Sequence, residues 1–212
     1  MKAKLLLLTF LTVSISLSAQ KIYLEGGYLN PYRYGAKTSD YYFDAVRLGV
    51  LYEHNLKYNF GIQTGALLNA GYSHKYQLYG QTPDSVEYTT RNFSLDIPAH
   101  LVYHQKLFWG ISMFGYVGPT LQIGLFQPQT INSNLSDAYT QLTGITSGER
   151  DLYSYDQGVR RINLQLGTGG GFQWKKYILK GGFDWGINSL DRSGYDRVLQ
   201  RNWHVSFVYQ LK

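Results

Sequence analysis

Apolar and polar residues alternate with a period of two along most of this chain, and the i, i+3, i+4 spacing of a helix is nowhere sustained. The last segment shows it most clearly. Trp203, Val205, Phe207, Tyr209 and Leu211 fall on one face, and Asn202, His204, Ser206 and Gln210 on the other. In the segment before it, Tyr177, Leu179, Phe183, Trp185 and Ile187 alternate with Lys180, Gly182, Asp184, Gly186 and Asn188. Earlier still, Ile162, Leu164, Leu166, Phe172 and Trp174 oppose Arg161, Asn163, Gln165 and glycines at 167, 169 and 171. Eight such segments are predicted as strands, over 21–30, 43–55, 59–77, 86–105, 108–126, 157–175, 177–190 and 200–212. Several exceed the roughly five or six residues usual in globular proteins and reach the roughly nine to eleven that a tilted strand needs to cross a bilayer.

The connections alternate in length. Tight links follow strands two, four and six (Leu56-Lys57-Tyr58, Lys106-Leu107 and Lys176), whereas 31–42, 78–85, 127–156 and 191–199 are longer. Short turns at one end and long loops at the other characterise outer-membrane barrels, with the turns in the periplasm. An even strand count then places both termini on the periplasmic side. The expected fold is all-β, an eight-stranded antiparallel up-and-down transmembrane barrel.

Which face looks outward follows from the charges. Glu25, Arg47, Glu53, Asp96, His100, Arg161, Lys180 and Asp184 share the polar face, with Leu, Ile, Val and Phe on the other and Tyr and Trp near segment ends. A soluble barrel would bury the apolar set. In lipid the assignment reverses, and the terminal aromatics become interfacial girdles. An eight-stranded barrel is only wide enough inside for side chains, so glycines at 167, 169 and 171 would make room for longer groups opposite. Pro98 lacks an N–H for the ladder and predicts a bulge or break.

The N-terminus adds a destination. Lys2 and Lys4 precede an apolar run from Leu5 to Leu17 and the small-residue stretch Ser16-Leu17-Ser18-Ala19, the layout of a secretory signal peptide. Residues 1–19 are read as that leader, cut after Ala19 or Ser18, and 20–212 as one barrel domain. Beyond the leader no apolar run is long enough for a membrane helix. The chain has no cysteine, which excludes disulfides, thiolate metal sites and a lipoprotein anchor. Without Lys2 and Lys4, 18 basic residues face 14 acidic ones, scattered rather than clustered. That favours outer-membrane lipid and lipopolysaccharide headgroups as partners over nucleic acid.

The stretch Phe93-Ser94-Leu95-Asp96-Ile97-Pro98-Ala99-His100-Leu101-Val102-Tyr103 resembles the "L-E-I-P-L-L-L-K-Y" strand of the outer-membrane β-barrel domain family of Bacteroidota, to which PorT-like proteins belong. Gly115 to Leu121, and Gly167 to Phe172 followed by Gly181 to Leu190, resemble it too. The chain departs from that family in having Asp96 for the usual Glu and in ending Tyr209-Gln210-Leu211-Lys212 rather than on an aromatic residue. The resemblance implies an outer-membrane barrel, with envelope or secretion proteins as further partners.

Candidate chemistry is sparse. The eight inward charges could line a narrow polar path or simply neutralise one another in a filled lumen. His204-Val205-Ser206 is similar to the His-x-Ser pair of barrel-type lipid A deacylases. The alternation, however, turns both side chains into the lumen, away from lipid, and no acidic third partner is identifiable from spacing. His54, His74, His100 and His104 show no zinc spacing. No catalytic residue, metal or cofactor is therefore assigned. The link 127–156, with Asn132, Asn134, Tyr139, Tyr153 and Tyr155, is a candidate partner-binding loop, since binding residues favour loops on a rigid scaffold. The expected role is a non-enzymatic structural or interaction component of the envelope. A lipid-modifying hydrolase, a small pore and a soluble lipocalin-like binder are the alternatives.

Overall fold

A computed structural model describes residues 20–36, 40–79, 84–154 and 158–212; the expected leader and Tyr155 lie outside them. The elements in chain order are β1 (Gln20–Tyr34), β2 (Tyr41–Tyr42), β3 (Asp44–Asn55), β4 (Phe60–Leu78), β5 (Ser85–Lys106), β6 (Ile111–Phe126) and β7 (Pro128–Asn134). They continue with α1 (Asp137–Thr143), β8 (Gly148–Asp151), β9 (Ile162–Trp174), β10 (Tyr177–Gly186) and β11 (Leu199–Gln210). Eight of the strands close a ring in the order β1, β3, β4, β5, β6, β9, β10, β11 and back to β1, every pairing antiparallel.

The side-chain phase is the reversed one. Leu48, Leu68, Phe172, Leu179 and Phe207 point outward and are each more than half exposed, while Glu25 and Asp96 inside are 0% exposed and Lys180 3%. Aromatics bracket this apolar belt: Phe60, Tyr103, Trp109, Trp174 and Tyr177 toward the turn end, and Tyr72, Trp185 and Trp203 toward the loop end. Surface of this kind is stable only against hydrocarbon; in water so large an apolar patch would drive aggregation.

The tight turns are longer than the alternation predicts. Leu56 to Asn59 and Leu107 to Gly110 form similar turns, closed by Leu56 N–H to Phe60 O (2.7 Å) and Leu107 N–H to Ile111 O (2.9 Å). Tyr58 and Asn59 in one, and Trp109 and Gly110 in the other, adopt left-handed backbone and so leave the ladder. Strand β10 ends at Gly186 rather than 190 because Asn188 substitutes for the next rung. Its side-chain amide accepts from Leu164 N–H (2.6 Å) and donates to Ile162 O (2.9 Å).

The link 127–156 is not a plain loop. After a register shift at Phe93/Ser94 the chain re-pairs with β5 as β7, then forms α1 and returns as β8 on the outer edge of β7. Side-chain hydrogen bonds reinforce the backbone ladders of this upper sheet, among them Gln129 to Thr90 (3.0 Å) and Asn132 to Glu87 (3.3 Å).

Inside, composition changes with height. Toward the turn end Tyr23, Leu51, Leu67, Val102, Phe114, Tyr116, Ile178 and Val208 pack as one apolar cluster, with Glu53, Gln63 and His104 beside it. The free space beside it is only about 10 Å³, room for about one water.

Candidate functional site

The polar mid-lumen is built around Arg47. Its Nη2 lies 2.7 Å from Asp96 Oδ2 and its Nη1 4.0 Å from Glu25 Oε1, and Nε donates to Asn69 Oδ1 (3.0 Å). Glu25 Oε2 in turn accepts from Lys180 Nζ at 3.0 Å. Strand register makes these long groups fit. Across the ladder Glu25 faces Gly49, Arg47 faces Gly27, Lys180 faces Gly171 and Asp184 faces Gly167. At Gly167 the missing side chain is used directly: a Cβ there would run into the Asp184 carboxylate.

A second cluster joins the same layer. The Tyr116 hydroxyl is 2.9 Å from His204 Nε2, whose Nδ1 lies 3.6 Å from Asp184 Oδ2; His100 stacks on Tyr116 and bonds Thr120 Oγ1 at 3.0 Å. Ser206 Oγ is buried, with no hydrogen-bond partner among the described residues. The H-x-S pair therefore makes no nucleophile–base contact, and both residues are sealed from lipid.

The predicted inward set is thus divided. Glu25, Arg47, Asp96 and Lys180 form one network, and Asp184 and His100 belong to the adjoining cluster. Glu53 sits apart toward the turn end, with His104 (2.8 Å) and Lys21 (3.5 Å). Arg161 is a correction. Its guanidinium is exposed at the loop-end rim, where it donates to Leu125 O (2.6 Å) and Gly124 O (3.3 Å), because β9 begins only at Ile162. Tyr153 is a second correction. Rather than offering contact surface it is 5% exposed, packs over Gly124 and donates to Asn92 Oδ1 (3.0 Å), which closes part of the mouth. Asn132 and Asn134 lie in β7 and Tyr139 in α1.

Above the network the barrel opens into a cup of about 510 Å³, within the range of small-molecule sites. Its lining brings together three separate links, with Arg33 and Tyr41 from the first, Gln129 and Arg150 from the second, and Leu190, Asp191 and Val198 from the third. Arg33 is 7% exposed and is in phase with Glu25 on β1, so parity would have found it had the first strand been carried past residue 30. Its Nε donates to Gln200 Oε1 (2.8 Å) and its Nη1 to Gln127 Oε1 (3.0 Å). Gln200 Nε2 then donates to Gln122 Oε1 (2.9 Å), and Gln122 Nε2 to Asp96 Oδ1 (3.0 Å). Two aligned amides therefore connect the floor of the cup to the lumen carboxylates.

On the opposite wall Asp191 accepts from Ser193 N–H (2.9 Å) and hydroxyl (2.8 Å) and from Asp196 N–H (2.8 Å). Slight burial works to raise its pKa. These donors outweigh it, led by the Asp196 N–H, and hold the carboxyl below the ordinary range.

A closed antiparallel ring with an apolar exterior, a charge-paired lumen and a loop-end cup defines an eight-stranded β-barrel of the outer-membrane type. Among solved structures the chain is similar to Ail, the attachment invasion locus protein of Yersinia pestis, at 12% identity and TM-score 0.46, over 90% of this chain and 98% of that one. It is similar also to Neisserial surface protein A (9%, 0.40, 89% and 96%) and to the N-terminal β-barrel domain of Pseudomonas aeruginosa OprF (13%, 0.30, 89% and 97%). No family model matches the chain, and no curated protein matches it in sequence. These likenesses concern barrel shape, and no property of those proteins is carried across.

Proposed function

We propose that this chain is an outer-membrane barrel that performs no chemistry of its own and serves as an interaction component of the envelope, presenting the loop-end cup to the exterior. On this reading residues 1–19 are removed on export, both termini face the periplasm, and lipid and lipopolysaccharide surround the belt. The observation that carries it is the contrast along the axis: a lumen closed by an apolar cluster and paired charges lies beneath an open cavity built from three links. Binding residues placed on loops over a rigid scaffold are the usual arrangement for recognition. The PorT-like resemblance of Phe93 to Tyr103 makes protein-secretion components the partner class to test first.

Co-purification from detergent-solubilised outer membranes tests the role. A stable neighbour retained by wild type and lost when Val198→Trp fills the cup supports it. Retention of no neighbour, together with unchanged secreted and surface protein profiles in a deletion strain, counts against it.

A further inference from the structure

Among the described residues, Arg33 in the cup is buried yet has no carboxylate paired with it. Its two hydrogen bonds go to the neutral side-chain oxygens of Gln200 and Gln127, themselves buried, and its guanidinium lies 5.0 Å from the centre of the Phe43 ring. A guanidinium carries five N–H donors, so three remain without a protein partner among the described residues. None of its nitrogens is among the buried orphaned atoms, so the unpartnered donors open into the cup, where an anion can accept from them.

Among the described residues the two carboxylates that line the cup, Asp191 and Asp196, already accept from other donors. Asp191 is saturated by donors of its own turn, and Asp196 Oδ1 accepts from Ala36 N–H (3.2 Å) and Arg197 N–H (2.7 Å). The amide relay through Gln200 and Gln122 runs toward Asp96, so it stabilises Arg33 without cancelling its charge. Around this cation the wall carries the aromatic residues Tyr34, Tyr41 and Tyr88 and the amide of Gln127, while the Gln129 amide is held by Arg150, Tyr41 and Thr90. Planar aromatic faces suit the C–H faces of a pyranose ring, amides suit its hydroxyls, and a guanidinium edge suits a planar carboxylate.

We infer that the cup binds a carboxylate-bearing sugar, with the carboxylate completing the donor set of Arg33. The inference rests on the interaction role proposed above and specifies its ligand class. The sugar could be free or part of a lipopolysaccharide.

The test uses the whole barrel in nanodiscs free of lipopolysaccharide, with calorimetric titration of glucuronic acid, glucose and inorganic phosphate. The expected result is saturable glucuronate binding at least tenfold tighter than that of glucose or phosphate. Arg33→Gln should remove that preference, Arg33→Lys should keep part of it, and Val198→Trp should abolish binding with Arg33 intact. Adding lipopolysaccharide to the nanodisc and finding glucuronate excluded assigns the lipid-borne source; undiminished binding assigns the free one. Equal binding of glucose and glucuronate, both lost in Val198→Trp, would overturn the anion assignment and leave the cup as an interaction site. Equal binding of phosphate and glucuronate would overturn the sugar, and no saturable binding of any probe would overturn the inference outright. Co-purification of a protein neighbour stays an independent readout of the broader role. If Arg33→Gln fails to fold, Arg33→Lys and Val198→Trp still decide.

Discussion

Arg47 is the residue on which the lumen depends most. It touches Asp96 and faces Glu25, and both acids are completely buried, so its removal leaves two carboxylates inside with Lys180 as the nearest remaining cation. Arg47→Met should cost about 3–5 kcal/mol in urea unfolding of the refolded barrel, the range for breaking a buried pair. Adding Asp96→Leu should recover part of that, because the stranded partner is then gone. If Arg47→Met proves neutral, the pair does not hold the lumen. Most of this network was legible from residue types alone: opposite charges on one face of predicted strands must meet inside a ring this narrow. What could not be read was the height of each group. Glu53 and Glu25 share a face, yet they lie at different levels of the barrel and take different partners. Arg161 was misplaced because a strand start cannot be fixed to within a few residues where backbone pairing gives way to side-chain contacts.

Among the elements, the β9–β10 edge shows how a strand ends without losing its bonds. Asn188→Ala removes both side-chain bonds to the backbone of β9 and should cost about 1–2 kcal/mol, with faster amide exchange at Leu164 as its local sign. Unchanged exchange there would contradict the substitution of side chain for backbone. The turn after Ser189 makes a pH prediction. Asp191 has its pKa depressed in the folded chain, so the order it contributes is present above the ordinary carboxylate value and lost as pH falls through the depressed one. The Ser193 and Asp196 amide resonances should therefore hold steady through mildly acidic pH and shift only below the usual carboxylate range. In Asp191→Asn that transition should vanish; its persistence would assign it to another group. The eight barrel strands were readable because lipid on one side and charge on the other enforce a period of two. The upper pair, β7 and β8, was not. They are paired by short antiparallel ladders, but with Ile131 the one buried apolar side chain of β7 and none in β8 they carry no hydrophobic alternation to detect. The cup was equally hidden, since its walls come from three links brought together only by ring closure.

At the scale of the whole molecule, the proposed role rests on the axial sequence of apolar plug, paired charges and open cup. With about 10 Å³ free beside the plug, planar-bilayer recordings should show no steady conductance, and sustained openings would contradict a sealed lumen. The account as a whole stands on which side of the ribbon meets lipid. The chain contains no cysteine, so single cysteines can be placed and spin-labelled one at a time without background. Labels at 203, 205 and 207, compared with 202, 204 and 206 in a bilayer, give the most direct measurement. The predicted result is high oxygen accessibility at the odd positions, low accessibility at the even ones, and little contact with water-soluble relaxant at either. Wetted even positions with odd positions shielded in a common core would contradict it.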